Sequence, residues 1–519
     1  MTTTDVAIVG AGHNALIAAA YLARAGKKVL VFERAVRAGG AVQTREDIFH
    51  GYRIDVGSSA HILIHLTPIL QELDLARYGL EYIDCDPWAF YPLEDGRSIF
   101  FYKDIDRTCQ SIAAISPEDA EAYRHFCDDW LPISEGVLRA FLSTPTPGRI
   151  AWTMMRSGGF GGRGGMSKLQ TVLGSYRALL DATFRHPAVR AAIEWIAAQS
   201  GPPPGELGSA PLAGWQPLYH RSGVKRARGG SGALTESLVR MIRDHGGEVH
   251  TGRPVRRIVV ERGRAVGIEV GEDAERITAR AVLAGCHIAA TFGTLLADAP
   301  EAAPLRARVA NLRIGNGFGM ILRCTTSELP AYTGSAAPGP EHRGLQLLCP
   351  PAPFLDHAYA DFARGEPARE PAVVGMTWSA VDPGLAPTGK HLLFAWAQYH
   401  PYALSGGESW DRIRQREAER ILATVGRFAP NVPGCVEQVY IQTPADLERE
   451  IGLYNGNVMH LEMSLDQMFM FRPLPELSTY RTPISGLYLT GASTHPGGGV
   501  FGASGRSAAG VVLKDLPGR

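Results

Sequence analysis

The sequence lacks several features that would assign it to a class at once. Its seven cysteines are widely spaced and form no CxxC pair, so neither a zinc knuckle nor a redox-active disulfide is expected. The 52 Lys and Arg balance the 52 Asp and Glu, so no overall field favours nucleic acid or an anionic membrane. No apolar run is long enough to span a bilayer, and the first residues do not follow a signal-peptide pattern. We therefore expect a cytoplasmic protein without a metal site; peripheral membrane contact and oligomerisation stay open.

The clearest pattern runs from Asp5 to Glu33. A β-branched apolar run, Val6 to Val9, leads into Gly10-Ala-Gly-His-Asn-Ala15, and a helical pattern follows until Gly26. A second apolar strand then ends on Glu33. This strand–helix–strand order predicts a dinucleotide-binding unit of a parallel sheet.

Each position of this motif has a physical role. Gly10 makes the tight turn, and Gly12 allows the backbone to approach a pyrophosphate at the helix N-terminus. Ala15 is small enough for close helix–strand packing, and Glu33 can bind a ribose hydroxyl. The alternative is that the glycines form a purely structural turn. The agreement of strand, helix and acid makes this alternative much weaker.

The remaining chain predicts an α/β protein whose nucleotide domain is discontinuous. We expect the nucleotide-binding domain in residues 1–103, 225–290 and 471–519, a helical cap in 104–224, and an inserted α+β substrate domain in 291–470. The glycine-rich stretch from Gly158 to Gly165 cannot be a regular helix, and it predicts either a mobile loop at a cavity mouth or a plain connector.

Several motifs together resemble the flavin-containing amine oxidase and phytoene desaturase superfamily. They are Gly10 to Asn14, Gly39-Gly40, Gly229 to Gly232, His460 to Gln467, Phe471-Arg-Pro473 and Thr494 to Val500. The resemblance is closest to the branch related to pyridine nucleotide-disulphide oxidoreductase domain-containing protein 2. It implies a glutathione-reductase-like flavoprotein fold and FAD as cofactor. Ala15 departs from the third glycine of the family, and without CxxC or a second GxGxxG neither disulphide reduction nor a separate NAD(P) domain is expected.

Glycine-rich turns spread over the chain also favour FAD over NAD, because a simple NAD dehydrogenase needs one contiguous Rossmann domain. The amides of Val500 to Gly502, at the start of the last helix, can stabilise reduced flavin; a tight packing turn is the alternative. The predicted cofactor-binding residues are Gly10, Gly12, His13, Asn14, Ala15, Glu33, Arg34, Gly39, Gly40, Ala41, Val255, Gly491, Ala492, Gly499, Val500, Phe501 and Gly502.

Four polar residues are candidates for the chemistry. His495 lies in the predicted flavin loop, and either contacts cofactor and substrate or only hydrogen-bonds the loop. His460 and Glu462 share one face if residues 458–463 form a strand, and they then handle a proton as a pair or make a buried hydrogen bond. Arg472 holds a carboxylate or a flavin carbonyl, or makes a structural ion pair.

Weaker candidates are His61, His220 and Tyr454. An apolar set predicts either a substrate tunnel or ordinary core; it comprises Trp152, Met154, Met155, Trp195, Trp215, Met468, Phe469 and Phe471.

These features predict an FAD-dependent oxidoreductase that removes hydride, or two hydrogens, from a hydrophobic organic substrate. Carbon–carbon desaturation is the leading version. Amine oxidation, a flavin-dependent isomerase or saturase, and a non-catalytic flavin-fold scaffold are the alternatives. The electron acceptor, whether oxygen, a quinone or NAD(P), stays open.

Overall fold

A computed structural model describes residues 2–156, 165–335 and 338–517. The predicted role of the glycine-rich stretch at 158–165 therefore concerns a segment that lies almost wholly outside the described residues. The strands are β1 (Thr2–Val9), β2 (Val29–Phe32), β3 (Thr44–Arg45), β4 (Ile54–Asp55), β5 (Tyr82–Cys85), β6 (Ala89–Pro92), β7 (Ser98–Phe101), β8 (Val224–Ala227), β9 (Glu248–His250), β10 (Val255–Glu261), β11 (Arg264–Val270), β12 (Glu275–Ala284), β13 (Met320–Thr326), β14 (Leu345–Leu348), β15 (Ala372–Met376), β16 (His391–Gln398), β17 (Val436–Gln442) and β18 (Leu487–Leu489).

The α-helices pack on and between these strands. They are α1 (His13–Arg24), α2 (Ile69–Glu72), α3 (Ile105–Ala113), α4 (Pro117–Phe141), α5 (Pro147–Arg156), α6 (Gly165–Leu173), α7 (Tyr176–Thr183), α8 (Pro187–Ala198), α9 (Ala210–Gly214), α10 (Tyr219–Ser222), α11 (Ala233–Asp244), α12 (Ile288–Ala290), α13 (Ala303–Val309), α14 (Phe354–Ala363), α15 (Trp410–Phe428), α16 (Pro444–Ile451) and α17 (Ala503–Asp515).

The first sheet has the order β10-β11-β12-β1-β2-β9, and β18 pairs with the C-terminal half of β12. Strands β9, β2, β1, β12 and β18 are parallel, whereas β10 and β11 form an antiparallel meander with β12. Residues 6–9 of β1 are buried, as expected for a central parallel strand covered on both faces. The α/β fold with a discontinuous parallel sheet is confirmed.

The second sheet has the order β17-β13-β16-β15-β14-β6-β7 and is antiparallel except for the pair of β6 with β14. Its side chains alternate between two environments. Leu322, Val373 and Leu393 belong to the core cluster built with α15, and the intervening residues point to the opposite face. Part of that opposite face borders a cavity.

Helices α1 and α17 bring the two ends of the chain together. The backbones approach so closely that a Cβ on Gly505 would overlap the carbonyl oxygen of Asn14. Side chains add a second link, because Arg506 of α17 donates to both carboxylate oxygens of Glu72 in α2, at 2.7 and 2.8 Å. The N-termini of α1 and α17 are thereby held near each other.

The hairpin of β6 and β7 lies within residues 1–103 but belongs to the second sheet. Residues 458–463 contain turns and bends and no strand, so the condition for His460 and Glu462 to share a strand face is not met, and His460 has a left-handed φ of 66°. Among the described residues, no helix is both long and apolar enough to cross a membrane.

Candidate functional site

A cavity of about 600 Å³ opens where four parallel strands end. Gly10 follows β1, Glu33 follows β2, Gly285 follows β12 and Gly491 closely follows β18, and all four line the cavity. Because the carboxyl ends of parallel strands meet at one edge of a sheet, residues far apart in the chain converge there. This edge is the usual ligand-binding side of open α/β sheets.

The first glycine turn leaves room for a ligand. Gly10 has φ of 88°, which favours glycine, and Gly12 precedes the first turn of α1. A Cβ built on Gly12 meets no atom of the described residues within 4 Å, so a side chain there would extend into the cavity. Gly40 approaches from the second turn, where its own Cβ would lie 3.3 Å from the Cα of Gly12. These bare backbones form a cradle at a helix N-terminus, where anions bind favourably.

Glu33 braces this cradle as well as lining it. Its carboxylate accepts hydrogen bonds from the amides of Ala11 at 2.8 Å and Ala35 at 2.9 Å. The neighbouring Arg34 reaches the chain beyond α16, since a Cβ on Gly452 would approach its guanidinium within 2.6 Å. The end of β2 thus contacts both the glycine turn and a segment of the second half of the molecule.

The last glycine loop closes the opposite part of the cavity. Gly499 and Val500 lie in the wall directly before α17, and His13 at the start of α1 contacts the backbone of Gly499. Burial lowers the pKa of His13 to about 4, against the smaller opposing effect of that backbone contact. His13 is therefore a neutral imidazole between the first and last turns, and it adds no charge to the helix N-termini.

Most of the predicted cofactor residues lie in this wall, and three do not. The wall contains Gly10, Gly12, His13, Asn14, Ala15, Glu33, Arg34, Gly40, Ala41, Val255, Gly491, Ala492, Gly499 and Val500. Gly39 lies behind it, where its amide donates to the carbonyl of Ala11 at 2.8 Å. Phe501 and Gly502 are also behind the wall; Phe501 is 3 % exposed, and a Cβ on Gly502 would overlap the side chains of Ile17 and Ile69.

The turn at Gly229 to Gly232, one of the motifs that carry the family resemblance, lies outside the cavity wall. The amide of Gly232 donates to Thr44 Oγ1 at 2.9 Å, and a Cβ on Gly230 would overlap the Thr44 side chain. This turn supports β3 and contributes nothing to the wall formed by the described residues.

The cavity continues onto the inner face of the second sheet. We call this part the apolar compartment; it is bounded by Ile321, Leu345, Val374, Met376, Phe394 and Trp396. These residues occupy alternate positions of β13 to β16, opposite the face packed on α15. None of the six carries a charge.

Of the four predicted catalytic residues, only His460 lies in the cavity wall. The expected pairing of His460 with Glu462 is wrong, because the two side chains have separate partners. His460 Nδ1 lies 3.0 Å from Ser493 Oγ, whereas Glu462 accepts from Arg313 Nε at 2.7 Å near the surface. The turn at residues 458–463 removes the shared strand face on which the pairing depended.

His495 is fully buried outside the wall. Its Nε2 lies 3.1 Å from the carbonyl oxygen of Ala140 at the end of α4, and its ring packs between Phe141 and Phe469. Burial lowers its pKa to about 4. His495 is thus oriented toward α4 and does not line the cavity, so its contact with cofactor or substrate stays a prediction.

Arg472 links two cavity loops from behind. Its guanidinium donates to the carbonyl oxygens of Met459 at 2.6 Å and Ala492 at 2.8 Å, with longer bonds to Leu461, Glu462 and Gln467. It is fully buried, and burial lowers its pKa to about 9. Among the described residues it has no carboxylate partner, so the predicted structural ion pair is absent, and its hydrogen bonds join these loops. Its contact with a bound carboxylate or a flavin carbonyl stays a prediction.

The weaker candidates divide similarly. Tyr454 lies in the wall, whereas His61 contacts Ser231 and Tyr82, and His220 contacts Tyr123. The predicted tunnel residues Trp152, Trp195, Trp215, Met468, Phe469 and Phe471 do not line this cavity, and the side chains of Met154 and Met155 lie outside the described part of the chain. Trp195 is core, with Nε1 donating to the carbonyl of Val373.

The sequence interpretation missed Cys286, His287 and Ser493. Cys286 and His287 line the cavity directly after β12, and His287 stacks on Tyr454 with ring centroids 4.4 Å apart. Burial lowers the pKa of His287 to about 4. In the sequence, Cys286 and His287 could have been recognised by their position one and two residues after Gly285, at the carboxyl end of a predicted strand.

The residues present fit FAD. The N-terminus of α1 and three side-chain-free turns suit an anion along one continuous wall, and an acid at the end of β2 suits a ribose. Among the described residues, no group of three or more His, Cys, Asp or Glu side chains is arranged to hold a metal ion.

Comparisons with known proteins agree with this geometry. A family model described as flavin containing amine oxidoreductase matches residues 16–513. A pyridine nucleotide-disulfide oxidoreductase domain-containing protein 2 from Rattus norvegicus is 31% identical, covering 99% of this chain and 94% of its own length. A limonene dehydrogenase subunit of Castellaniella defragrans is 28% identical over 99% and 95% of the two chains, and a lycopene-forming phytoene desaturase of Pantoea ananas is 26% identical over 98% and 99%.

The fold likeness is equally extensive. A solved oxidoreductase structure from Methanosarcina mazei has a TM-score of 0.65 at 18% identity, covering 98% of this chain and all of the other.

Proposed function

Because the chain belongs to the flavin-containing amine oxidoreductase family, we propose that it is an FAD-dependent enzyme that oxidises a neutral, hydrophobic organic substrate by carbon–carbon desaturation. FAD would be held by the glycine turns at 10–12, 40–41 and 491–500, with Glu33 at the ribose. When bound, it supplies the acceptor for hydride. The chain's own part is to orient a C–H bond and to keep water away from it.

The apolar compartment is the observation that favours a neutral, apolar substrate. It presents six uncharged side chains from β13 to β16, and a cationic amine would lose hydration there without a carboxylate to replace it. The two carboxylates of the described wall already have protein partners. Glu33 accepts from two backbone amides, and Glu450 accepts from the Tyr440 hydroxyl and from Gln442 Nε2. A neutral, apolar substrate suits this surface better than an ammonium ion.

The names of two relatives point the same way. One is called a limonene dehydrogenase subunit and another a phytoene desaturase. Those names belong to the relatives, and they support a dehydrogenation on a hydrophobic compound as a hypothesis for this chain.

Anaerobic flavin spectroscopy tests the proposal. FAD-loaded protein is mixed with an isoprenoid hydrocarbon and, separately, with a primary alkylamine of equal chain length, while flavin absorbance is followed. We expect bleaching by the hydrocarbon alone. Bleaching only by the amine would establish C–N oxidation, a reaction without net flavin reduction would indicate an isomerase, and a protein that takes up no FAD would indicate a scaffold.

Met376→Gln provides a variant for the same assay. It keeps the side-chain length but places an amide in the apolar compartment, so reduction by the hydrocarbon should slow about tenfold while FAD content is unchanged. The matched control is Leu207→Gln at an exposed leucine, which should alter neither quantity.

A further inference from the structure

His460 is held unusually firmly for a residue of a cavity wall. Its φ of 66° is in the left-handed region, which costs energy for a residue with a Cβ. Its amide donates to the carbonyl of Asn457 at 3.1 Å, and its own carbonyl oxygen lies 3.0 Å from His287 Nε2. Backbone and ring are therefore fixed from three sides.

The hydrogen bonds of Ser493 determine which nitrogen of His460 carries a proton. Ser493 is buried, and its Oγ accepts from the amide of Ile288 at 3.1 Å. Its hydroxyl hydrogen then needs an acceptor, and among the described residues the one within hydrogen-bond distance is His460 Nδ1 at 3.0 Å. A nitrogen that accepts is unprotonated, so the ring proton of neutral His460 lies on Nε2.

His287 supports the same arrangement from the other side. Its Nδ1 accepts from the amide of Ala289 at 3.1 Å, so its Nε2 carries the hydrogen that is donated to the carbonyl of His460. Both imidazoles therefore carry their hydrogen on Nε2: backbone groups fix this tautomer in His287, and the Ser493 hydroxyl fixes it in His460. His460 Nε2 has no hydrogen-bond partner among the described residues, while the residue lines the cavity.

We infer that Ser493 is a positioning residue that holds His460 as a neutral imidazole with its Nε2–H directed into the cavity, as a hydrogen-bond donor to the bound FAD. The inference rests on the proposed function for the identity of the cofactor. The partner atom belongs to the flavin end, because Ser493 directly follows Gly491 and Ala492, which line the cavity there.

The electrostatic surroundings agree with a neutral ring. Burial, together with His287, Arg472 and His13, lowers the pKa of His460 well below its ordinary value. Protonation would also put a hydrogen on His460 Nδ1, where it would face the hydroxyl hydrogen of Ser493 and break that hydrogen bond. A neutral N–H donor stabilises negative charge that develops on reduced flavin without itself losing a proton.

Nitrogen-15 NMR of histidine-labelled protein measures the tautomer directly, in both the apoprotein and the FAD-loaded protein. The His460 signals are assigned by their loss in His460→Gln. We expect Nε2 to be protonated and Nδ1 to be bare near neutral pH in both forms, and the Nε2–H signal to shift when FAD binds. A protonated Nδ1, or an Nε2–H signal that FAD leaves unchanged, would overturn the inference.

Variants separate positioning from support of the fold. Ser493→Ala should populate the Nδ1–H tautomer and weaken FAD binding about five- to tenfold, the usual effect of one lost hydrogen bond. Ser493→Thr, which keeps the hydroxyl, should restore the Nε2–H tautomer. Ser504→Ala is the matched control, because Ser504 also caps a backbone amide, that of Gly491, but does not contact His460.

The outcomes remain distinguishable. An unchanged tautomer in Ser493→Ala, or a changed one in Ser504→Ala, contradicts the role of Ser493. If the wild-type protein takes up no FAD, the proposed function fails, while the apoprotein spectrum still decides the tautomer.

Discussion

At the residue scale, single positions decide whether backbone or side chain lines the cavity. Gly12 is the clearest case, because its conformation is not left-handed and its missing Cβ would point into open space. The folded protein therefore has room for a side chain at this position, but that side chain would block a ligand from approaching the backbone. We therefore expect glycine at this position to matter for ligand binding and not for folding.

Gly12→Val separates these two effects. We expect the variant to fold with an unchanged far-ultraviolet circular dichroism spectrum but to bind FAD on the order of a hundredfold more weakly, because two methyl groups occupy the pyrophosphate position. Fluorescence titration of the apoprotein with FAD measures this. Gly510→Val is the control, since Gly510 in α17 is exposed and also has open space at its Cβ. Stoichiometric FAD in the purified Gly12→Val protein would contradict the site.

Arg472 yields a second prediction at this scale. Arg472→Lys removes the Nε and Nη1 donors that bind the carbonyl oxygens of Ala492, Glu462 and Gln467, so we expect a loss of about 2–4 kcal/mol of stability, detected as a lower unfolding midpoint. The control is Arg481→Lys at a partly exposed ion pair with Asp515, where a change below about 1 kcal/mol is expected. Equal effects of the two substitutions would show that Arg472 does not join the loops.

At the element scale, the sequence predicted local units well and their partners less well. The unit β1–α1–β2 lies where the pattern from Asp5 to Glu33 placed it, because burial, capping and glycine turns are local signals. A strand at residues 458–463 was the condition for pairing His460 with Glu462, and these residues contain turns and bends instead. Their backbone and side chains are held by Arg472 and Arg313, and no local pattern in the sequence indicates those bonds. The same limit explains why Ser493 and His287 were missed.

The link between α2 and α17 gives a prediction on pH. Hydrogen bonds from Arg506 lower the pKa of Glu72 to about 2, from 4.5. Because the folded value is depressed, the stabilisation is complete above about pH 4.5 and is lost as the pH falls toward about 2. The pair is about one-third exposed, so its contribution is about 0.5–1 kcal/mol.

We therefore expect Glu72→Gln to lower the unfolding midpoint in urea near neutral pH, and the difference from wild type to shrink on acidification toward the folded pKa. Glu236→Gln, in an exposed pair with Arg240 at 3.9 Å, should show almost no difference at either pH. A Glu72→Gln difference that stays constant with pH would show that the ion pair is not its cause.

At the scale of the whole molecule, function depends on two sheets meeting across one cavity. The first sheet supplies strand ends and glycine turns, and the second supplies the apolar compartment. The discontinuous nucleotide domain could be predicted because its motifs are individually recognisable. The apolar compartment could not, since the alternation along β13 to β16 shows which residues share a face but not which face borders a cavity.

The central claim is that turns near residues 12, 40 and 499 enfold one FAD molecule that reaches from Glu33 toward the apolar compartment. A crystal structure of the FAD-loaded protein tests it most directly. We predict the adenosine near Glu33 and Val255, the pyrophosphate at Gly12, and the ring system between His460 and Val500. FAD bound in the reverse direction, or at a site away from these turns, would contradict the account.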